Sequence, residues 1–325
     1  MSRRGWKIAA GAASAAAAGG LVALQRADQR WAQTPNPVAR EELLLPPGER
    51  ITVETDDDAR LAGTVAGEGP TVVLSHCWTG AREVWAPVAH RLLRRGHRVV
   101  LYDQRGHGSS TVGHDGFTIP RLGADLKAVL EATESRDAVV AGHSMGGMAV
   151  QSLVSHHRNV VAGRVAGIVL VATAAAGLSQ GRRDHRLRRA VGGRAVERAL
   201  SHRFGHAFVR GSIGANVCRD HLMATRDLFL ACPPETRAGF LSAIQTLDLR
   251  EGLEGLDVPA TIAVGTRDTL TPLQRARELA RLLPHARFEV HEELGHMLPL
   301  EAPDEITDLV AETVERAREP EQRAS

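Results

Sequence analysis

A serine stands between closely spaced glycines in the middle of the chain, in Gly142-His143-Ser144-Met145-Gly146. This G-x-S-x-G pattern follows an apolar run at 137–141 and precedes a longer apolar segment at 145–156. Between a strand and a helix, the glycines permit a tight turn that lifts the serine hydroxyl out of the sheet. The helix that begins there points free backbone N–H groups at the same spot and favours an oxyanion. Ser144 is therefore predicted to be a nucleophile.

Two later segments supply the groups that would activate this serine, which is a poor nucleophile without a base. His296 follows the predicted strand 287–291, and Asp268 lies just beyond the apolar run 261–265. An imidazole base needs a carboxylate to fix its tautomer and to stabilise its cation. Open α/β sheets place their active sites at the carboxyl ends of strands. Ser144, Asp268 and His296 each follow a predicted strand, and they occur along the chain in the order Ser, Asp, His. We expect these three residues to form a catalytic triad.

Alternating strand and helix patterns predict the scaffold that would bring the triad together. A hairpin is expected around the polar turn 56–58. Strands are predicted at 51–55, 60–66, 71–75, 98–102, 137–141, 165–172, 261–265 and 287–291, and helices at 83–94, 119–133, 145–156, 273–283 and 304–316. Strands that alternate with helices indicate an α/β fold with a mostly parallel sheet covered on both faces.

The alternation breaks between residues 175 and 245, and this break divides the chain. The segment has helical pieces and no convincing strand, and it holds twelve arginines against five acidic residues. It predicts a helical cap, 175–245, inserted into a core of 49–174 and 246–316. The arginines indicate a solvated basic face, and attraction of an anionic substrate or lipid surface is the alternative. Residues 317–325 are predicted to be a disordered tail.

The N-terminal region has the parts of an export signal. Arg3, Arg4 and Lys7 form a basic segment before the uncharged stretch 8–24, and their arrangement resembles a twin-arginine signal. Residues 1–24 are therefore predicted to be a signal peptide or a membrane anchor, and the protein is expected to be exported or associated with the cell envelope. The polar, proline-containing segment 25–48 that follows is predicted to be a linker.

Length and composition exclude several other classes of protein. The chain has 325 residues, of which 43% are apolar and 24% charged, as in an ordinary globular protein. A net charge of +2 does not mark a nucleic-acid binder, and no twenty-residue apolar run follows the N-terminus, which argues against a multi-span membrane protein. No nucleotide-binding glycine motif and no metal-ligand spacing of histidines is present, so neither a cofactor nor a metal is expected.

Four motifs, taken in order, resemble the α/β-hydrolase superfamily. The serine turn is one, and the pair of Asp268 and His296 is another. His76-Cys77-Trp78-Thr79-Gly80 is similar to the family's H-G-x-x-G loop, and the segment from Tyr102 to Ser109 is similar to its D-x-R-G-x-G-x-S segment. The resemblance covers about residues 50–316, apart from the cap. It implies the α/β-hydrolase fold, with helices on both faces of a mostly parallel central sheet and a helical cap insertion.

The same resemblance implies an oxyanion hole made by the backbone N–H groups of Met145 and Trp78. Cys77 stands where the family usually has glycine, which raises the question of a strained loop. Cys77 itself, beside His76, is an alternative nucleophile, although neighbours in an extended chain point to opposite sides. His76, Cys77 and His143 are candidate pocket residues, and for the two histidines a buried structural role is favoured over a pocket role.

The resemblance finally implies hydrolysis of a carboxylic ester or thioester through an acyl-enzyme on Ser144, without a cofactor. The expected partner is a small-molecule ester or lipid-like substrate, not a nucleic acid, and the N-terminus could add membrane association. Carbon–carbon bond hydrolysis and cofactor-free perhydrolase chemistry use the same triad, and Trp78 with the Ser-Met-Gly-Gly turn resembles the perhydrolase, or haloperoxidase-like, branch. A non-catalytic ligand-binding protein is the alternative of another class. The oligomeric state and a disulfide between Cys218 and Cys232 stay open.

Overall fold

The computed structural model of the chain describes residues 20, 22–177, 189–202, 205–216 and 218–324. Eight strands form one sheet in the order β1-β2-β4-β3-β5-β6-β7-β8. They are β1 (Glu49–Glu54), β2 (Arg60–Ala66), β3 (Thr71–Ser75), β4 (Arg98–Tyr102), β5 (Ala138–His143), β6 (Val165–Val171), β7 (Ala260–Gly265) and β8 (Arg287–His291). Strand β2 pairs antiparallel with β1 and β4, and the other neighbours are parallel. The α/β-hydrolase fold expected from the sequence is confirmed.

Helices cover both faces of this sheet. The α-helices are α1 (22–33), α2 (Ala86–Arg94), α3 (Ile119–Ala132), α4 (Met145–His156), α5 (Arg158–Arg164), α6 (Arg194–Ser201), α7 (Arg219–Ala231), α8 (Pro234–Gln245), α9 (Leu273–Leu282), α10 (Leu298–Glu301) and α11 (Pro303–Ala324). Side chains of α3, α4, α5 and α9 form one core with the sheet, and those of α2 and α11 form the other. Strands β3, β5 and β7 are buried along their whole length, which is why they consist of continuous apolar runs.

The described part of the insertion 175–245 is helical. It contains α6, α7, α8 and a 3-10 helix at Gly205–Ser212. A single bridge between Ala176 and Asp248 brings the two ends of the insertion together. Five of its arginines lie at 182, 183, 186, 188 and 203, outside the described residues, so the predicted basic face is described only in part.

The segment 25–48 is not the linker that its prolines and polar residues predict. Helix α1 reaches the cap, where Asp28 Oδ1 lies 2.8 Å from His206 Nε2. Further along, Glu42 Oε2 accepts a hydrogen bond of 2.7 Å from Arg91 on α2. The segment is therefore fixed to both the cap and the core. Contacts over such long sequence separations leave no local pattern that would have predicted them.

The C-terminal residues are helical, and most of the N-terminal segment lies outside the described residues. Helix α11 continues to Ala324, so the prediction of a disordered tail is wrong for 317–324. Alanine, arginine and glutamate are frequent there, and all three favour helix. The predicted signal or anchor, 1–24, lies outside the described residues except for 20 and 22–24. Within the described ranges, no helix has the length and apolar character needed to cross a membrane.

A buried arginine after β4 ties the hairpin turn to helix α3. Arg105 is fully buried, and its guanidinium donates to Asp57 Oδ1 at 2.9 Å and to Asp125 Oδ2 at 2.6 Å. The Arg105→Ala variant would leave two carboxylates without their buried counter-ion. We expect it to lower the free energy of unfolding by about 3–5 kcal/mol in urea titration. Arg95→Ala, at an exposed ion pair with Asp308, should cost less than about 1 kcal/mol, and equal losses would contradict the prediction.

Candidate active site

Ser144 occupies the sharp turn between β5 and α4. Its backbone has φ 54° and ψ −115°, a conformation that is strained for any residue except glycine. The surrounding chain explains why the neighbours are glycines. A Cβ atom on Gly142 would lie 2.4 Å from the Gly146 carbonyl oxygen, and one on Gly146 would lie 2.1 Å from the Ser75 carbonyl oxygen. The turn is held by a hydrogen bond of 2.9 Å from the Ser144 N–H to the Val171 carbonyl.

His296 and Asp268 are in contact in the loops that follow β8 and β7. The distance from His296 Nδ1 to Asp268 Oδ2 is 2.8 Å, and both residues are buried. A carboxylate can only accept hydrogen bonds, so Nδ1 carries the proton and Nε2 is left as a base. Burial opposes ionisation of Asp268, but its contacts with His296 and Thr271 outweigh this and hold the pKa of its carboxyl below the usual value.

Asp268 is fixed from its other side by the chain that follows it. Its Oδ1 accepts hydrogen bonds of 2.8 Å from the backbone N–H groups of both Leu270 and Thr271. The Thr271 hydroxyl also lies 2.8 Å from Asp268 Oδ2 and 2.7 Å from the Ala172 carbonyl. Thr271 was not predicted to belong to the site, although Asp side chains often accept hydrogen bonds from backbone N–H groups a few residues further along the chain. These contacts fix the carboxylate that orients the His296 ring.

Ser144 and His296 line one cavity of about 410 Å³ beneath the cap. Most of its wall is apolar. The apolar lining residues are Trp78, Val84, Met148, Val191, Val209, Leu228, Phe229, Leu241, Ile244, Leu270 and Met297. Among the described residues, no Asp, Glu, Lys or Arg lines this cavity. The site is therefore suited to an uncharged, apolar ligand, because a buried charge without a partner is costly.

Of the two residues predicted to supply the oxyanion hole, Trp78 lines this cavity, and Met145 directly follows the cavity-lining Ser144. Met145 is the first residue of α4, where N–H groups have no acceptor within the helix. Trp78 lies in the cavity wall, and its indole Nε1 donates to the Arg237 carbonyl of the cap at 3.1 Å. The N–H groups of the next two residues already have acceptors within the protein. Thr79 donates to His107 Nε2, and Gly80 donates to the Cys77 carbonyl.

Cys77 lines the cavity, but its loop is not strained at this residue. The positive φ of the loop is 59° at Thr79, whereas Cys77 is not among the described non-glycine residues with positive φ. The concern that cysteine distorts a glycine position is therefore wrong. Burial raises the pKa of the Cys77 thiol to about 12, so the thiol stays protonated near neutral pH. A protonated thiol is a weak nucleophile, which disfavours the alternative in which Cys77 attacks the substrate.

We expect Cys77→Ala to remain active. The change removes one buried sulfur atom from the wall and no reacting group, so kcat/KM for a chromogenic ester should fall by less than about tenfold. Steady-state kinetics with purified variant and wild type would check this. A loss of more than a thousandfold in a folded Cys77→Ala variant would restore cysteine as the nucleophile.

His76 and His143 do not line the pocket, and both have the buried structural role that the sequence favoured over a pocket role. Both are fully buried outside the cavity wall. His76 donates from Nδ1 to the Cys77 carbonyl at 2.8 Å and accepts the Gln104 N–H at Nε2, and burial lowers its pKa to about 4. His143 donates from Nε2 to the His296 carbonyl at 2.8 Å, and burial lowers its pKa to about 3. Both rings are therefore neutral supports of the loops around the site.

The described part of the chain contains neither a metal-binding cluster nor a disulfide. No group of three or more His, Cys, Asp or Glu residues there could hold a metal ion. Cys77, Cys218 and Cys232 are all buried free thiols. The disulfide between Cys218 and Cys232 that the sequence left open is therefore absent among these described residues.

The chain is similar in sequence to several known proteins. The chain is 31% identical over 255 residues to a pimeloyl-[acyl-carrier protein] methyl ester esterase from Chromobacterium violaceum, covering 77% of this chain and 96% of that protein. It is 28% identical over 241 residues to a non-heme haloperoxidase from Rhodococcus erythropolis, covering 71% and 86% respectively.

A solved enol-lactonase from Burkholderia xenovorans LB400 superimposes with a TM-score of 0.72 at 25% identity, covering 82% of this chain and all of that one. A bromoperoxidase from Bacillus anthracis, at 20% identity, shares the fold with a TM-score of 0.73, again over 82% of this chain and all of that one. Residues 72–309 match the alpha/beta hydrolase family. With the fold, the serine turn and the buried His–Asp pair in place, this chain belongs to the alpha/beta hydrolase family.

Proposed function

We propose that this protein is a serine esterase that cleaves uncharged carboxylic esters or thioesters with apolar acyl groups. The observation that carries the proposal is the shared cavity. Ser144, on its strained turn, and His296, bound to Asp268, both line one largely apolar space. Such an arrangement supplies a nucleophile, a base and a binding site for the acyl group together.

The proposed reaction follows from the position of each group. Ser144 Oγ attacks the acyl carbon while His296 Nε2 takes its proton. The oxyanion that forms accepts hydrogen bonds from the backbone N–H groups of Met145 and Trp78. His296 then returns the proton to the leaving alcohol or thiol, and a water molecule attacks the acyl-enzyme by the same sequence in reverse. Asp268 stabilises the imidazolium in both halves of the reaction.

The wall of the cavity predicts the preferred acyl group. A space of about 410 Å³ falls within the range of small-molecule sites, and apolar side chains line it. Each buried methylene adds about 0.8 kcal/mol, so kcat/KM should rise about fourfold per acyl methylene until the cavity is full. A series of p-nitrophenyl esters from acetate upward, compared with acyl groups of equal length that end in a carboxylate, would measure this. Preference for the anionic acyl groups would contradict the proposal and favour recognition by the arginines of the cap.

A perhydrolase is the second candidate, and one observation favours it. The Rhodococcus relative is named a non-heme haloperoxidase, and the Trp78 loop with the Ser144 turn is the part of this chain that resembles that branch. On the same acyl-enzyme, hydrogen peroxide would replace water as the attacking group and release a peracid and free Ser144. Peracid yield against acid yield at increasing peroxide concentration separates the two activities. A ratio no greater than that of the uncatalysed reaction excludes the perhydrolase.

We further propose that residues 1–24 direct this enzyme to the cell envelope or out of the cell. The support is the basic segment with Arg3, Arg4 and Lys7 before an uncharged stretch. N-terminal sequencing of the protein recovered from fractionated cells would show either a cleaved chain outside the cytoplasm or an intact chain in the membrane fraction. An intact chain in the cytoplasmic fraction would contradict the proposal.

A further inference from the structure

Glu301, at the end of α10, makes three hydrogen bonds to backbone N–H groups around the His296 loop. Its Oε2 accepts from Gly295 at 3.0 Å and from Gly214 at 2.6 Å, and its Oε1 accepts from Met297 at 2.9 Å. Gly295 and Met297 are the two neighbours of His296 in the chain. One carboxylate therefore holds the loop on both sides of the proposed base.

The third N–H belongs to the cap, and the backbone beside it is paired with the same loop. The His296 N–H donates to the Ser212 carbonyl at 2.8 Å, and the Ala215 N–H donates to the Glu293 carbonyl at 2.7 Å. The two segments are so close that a Cβ atom on Gly214 would lie 2.2 Å from the Glu293 carbonyl oxygen. Ser212 also lines the cavity. The cap is thus attached directly to the loop that carries His296.

We propose that Glu301 is a positioning residue that fixes His296 for proton transfer and fastens the cap segment 212–215 to the His296 loop. The inference rests on the proposed function, because it assigns His296 the role of base. Only a carboxylate fits the geometry well, since three N–H donors face its two oxygens. A glutamine would turn an NH₂ group toward at least one N–H donor, and an alanine would leave all three donors without their acceptor.

The test compares Glu301→Gln and Glu301→Ala with a matched control, Glu292→Gln. Glu292 is an exposed carboxylate four residues before His296, so its variant removes the same kind of side chain without affecting the three hydrogen bonds of Glu301. The Glu301 variants lose hydrogen bonds to a carboxylate. Both their kcat and their rate of labelling by a fluorophosphonate should fall on the order of 10–100-fold. KM should stay within about threefold, because the apolar wall is unchanged. Glu292→Gln should match the wild type in all three quantities.

A spectroscopic readout separates positioning from a general loss of structure. The proton of the His296 Nδ1–H to Asp268 hydrogen bond should give a low-field ¹H NMR signal in the wild type and in Glu292→Gln, and the signal should broaden or move in the Glu301 variants. If Glu301→Gln fails to fold, Gly214→Ala provides the second variant, because its methyl group pushes the cap segment off Glu293. It should lower kcat in the same direction while Glu301 stays in place.

The outcomes distinguish this inference from the proposed function. A folded Glu301→Gln protein with wild-type kcat and an unchanged low-field signal overturns the positioning role. A lower melting temperature with unchanged kcat per folded molecule also overturns it, since Glu301 would then be structural only. If the fluorophosphonate does not label the wild type at all, the esterase proposal fails. The low-field signal of the Glu301 variants then still decides whether Glu301 positions His296.

Discussion

Ser144→Ala will abolish ester hydrolysis, with an expected loss of about 10⁴–10⁶-fold in kcat/KM. The reason is that the change removes the attacking hydroxyl, and the alternative nucleophile, the Cys77 thiol, is held protonated by burial. The turn itself should survive the change. Its bonds use the Ser144 backbone, which donates to the Val171 carbonyl and accepts from the Thr173 hydroxyl at 2.7 Å. Initial rates with a p-nitrophenyl ester, beside thermal melting curves, provide the measurement.

Ser109→Ala is a matched control for this variant. Ser109 is exposed and uses its backbone N–H to bind Asp103, so the loss of its hydroxyl should leave kcat/KM unchanged. If Ser144→Ala retains more than a few per cent of wild-type activity while Ser109→Ala is normal, the acyl-enzyme mechanism is wrong. Residual activity that disappears with further purification would instead identify a contaminating esterase.

The second large effect is expected for Asp268→Asn, which should lower kcat about 10³–10⁴-fold at neutral pH. The structure explains why an isosteric change is so costly. Two backbone N–H groups, those of Leu270 and Thr271, bind Oδ1 and would hold the amide oxygen of the asparagine in that place. The NH₂ group must then face His296 Nδ1, which would have to accept. The ring is left with its proton on Nε2, where it cannot take the proton of Ser144.

Steady-state kinetics from pH 5 to pH 9 would check this prediction. Because its contacts hold the pKa of Asp268 below the usual value, the wild-type carboxylate is ionised throughout this range, and the loss in the variant should persist across it. The stabilisation that comes from ionised Asp268 is present in the same range and is lost only as pH falls through its lowered pKa. Asp257→Asn, at an exposed carboxylate, is the control and should have no effect. A kcat for Asp268→Asn within tenfold of wild type would show that the His296 tautomer is not fixed as described.

The sequence predicted the sheet well because its central strands are buried on both faces. Runs such as Thr71–Ser75 and Ala138–His143 must be apolar throughout, so each stands out against the amphipathic helices around it. Ser144, Asp268 and His296 could be located for a related reason. Ser144 and Asp268 follow the buried strands β5 and β7, and His296 follows the edge strand β8; the carboxyl ends of these parallel strands meet at one edge of the sheet.

The remaining features depend on contacts between distant parts of the chain. Nothing near Asp28 predicts its bond to His206, and nothing near Gly214 predicts its bond to Glu301. The sequence favoured burial for His76 and His143, but their hydrogen-bond partners Gln104 and His296 lie far along the chain and could not be predicted from it. The position of the positive φ in the loop after β3, at Thr79 and not at Cys77, follows from how the loop packs and not from residue type alone.

The most direct test of the proposed function is the intact mass after reaction with a fluorophosphonate, measured for wild type beside Ser144→Ala. The reagent bonds covalently to a serine that a neighbouring base has activated. We expect one adduct on the wild type and none on the variant, as the shared cavity of Ser144 and His296 requires. No adduct on a folded wild type, or equal labelling of the variant, would contradict the assignment of Ser144 as the activated nucleophile and favour a ligand-binding protein.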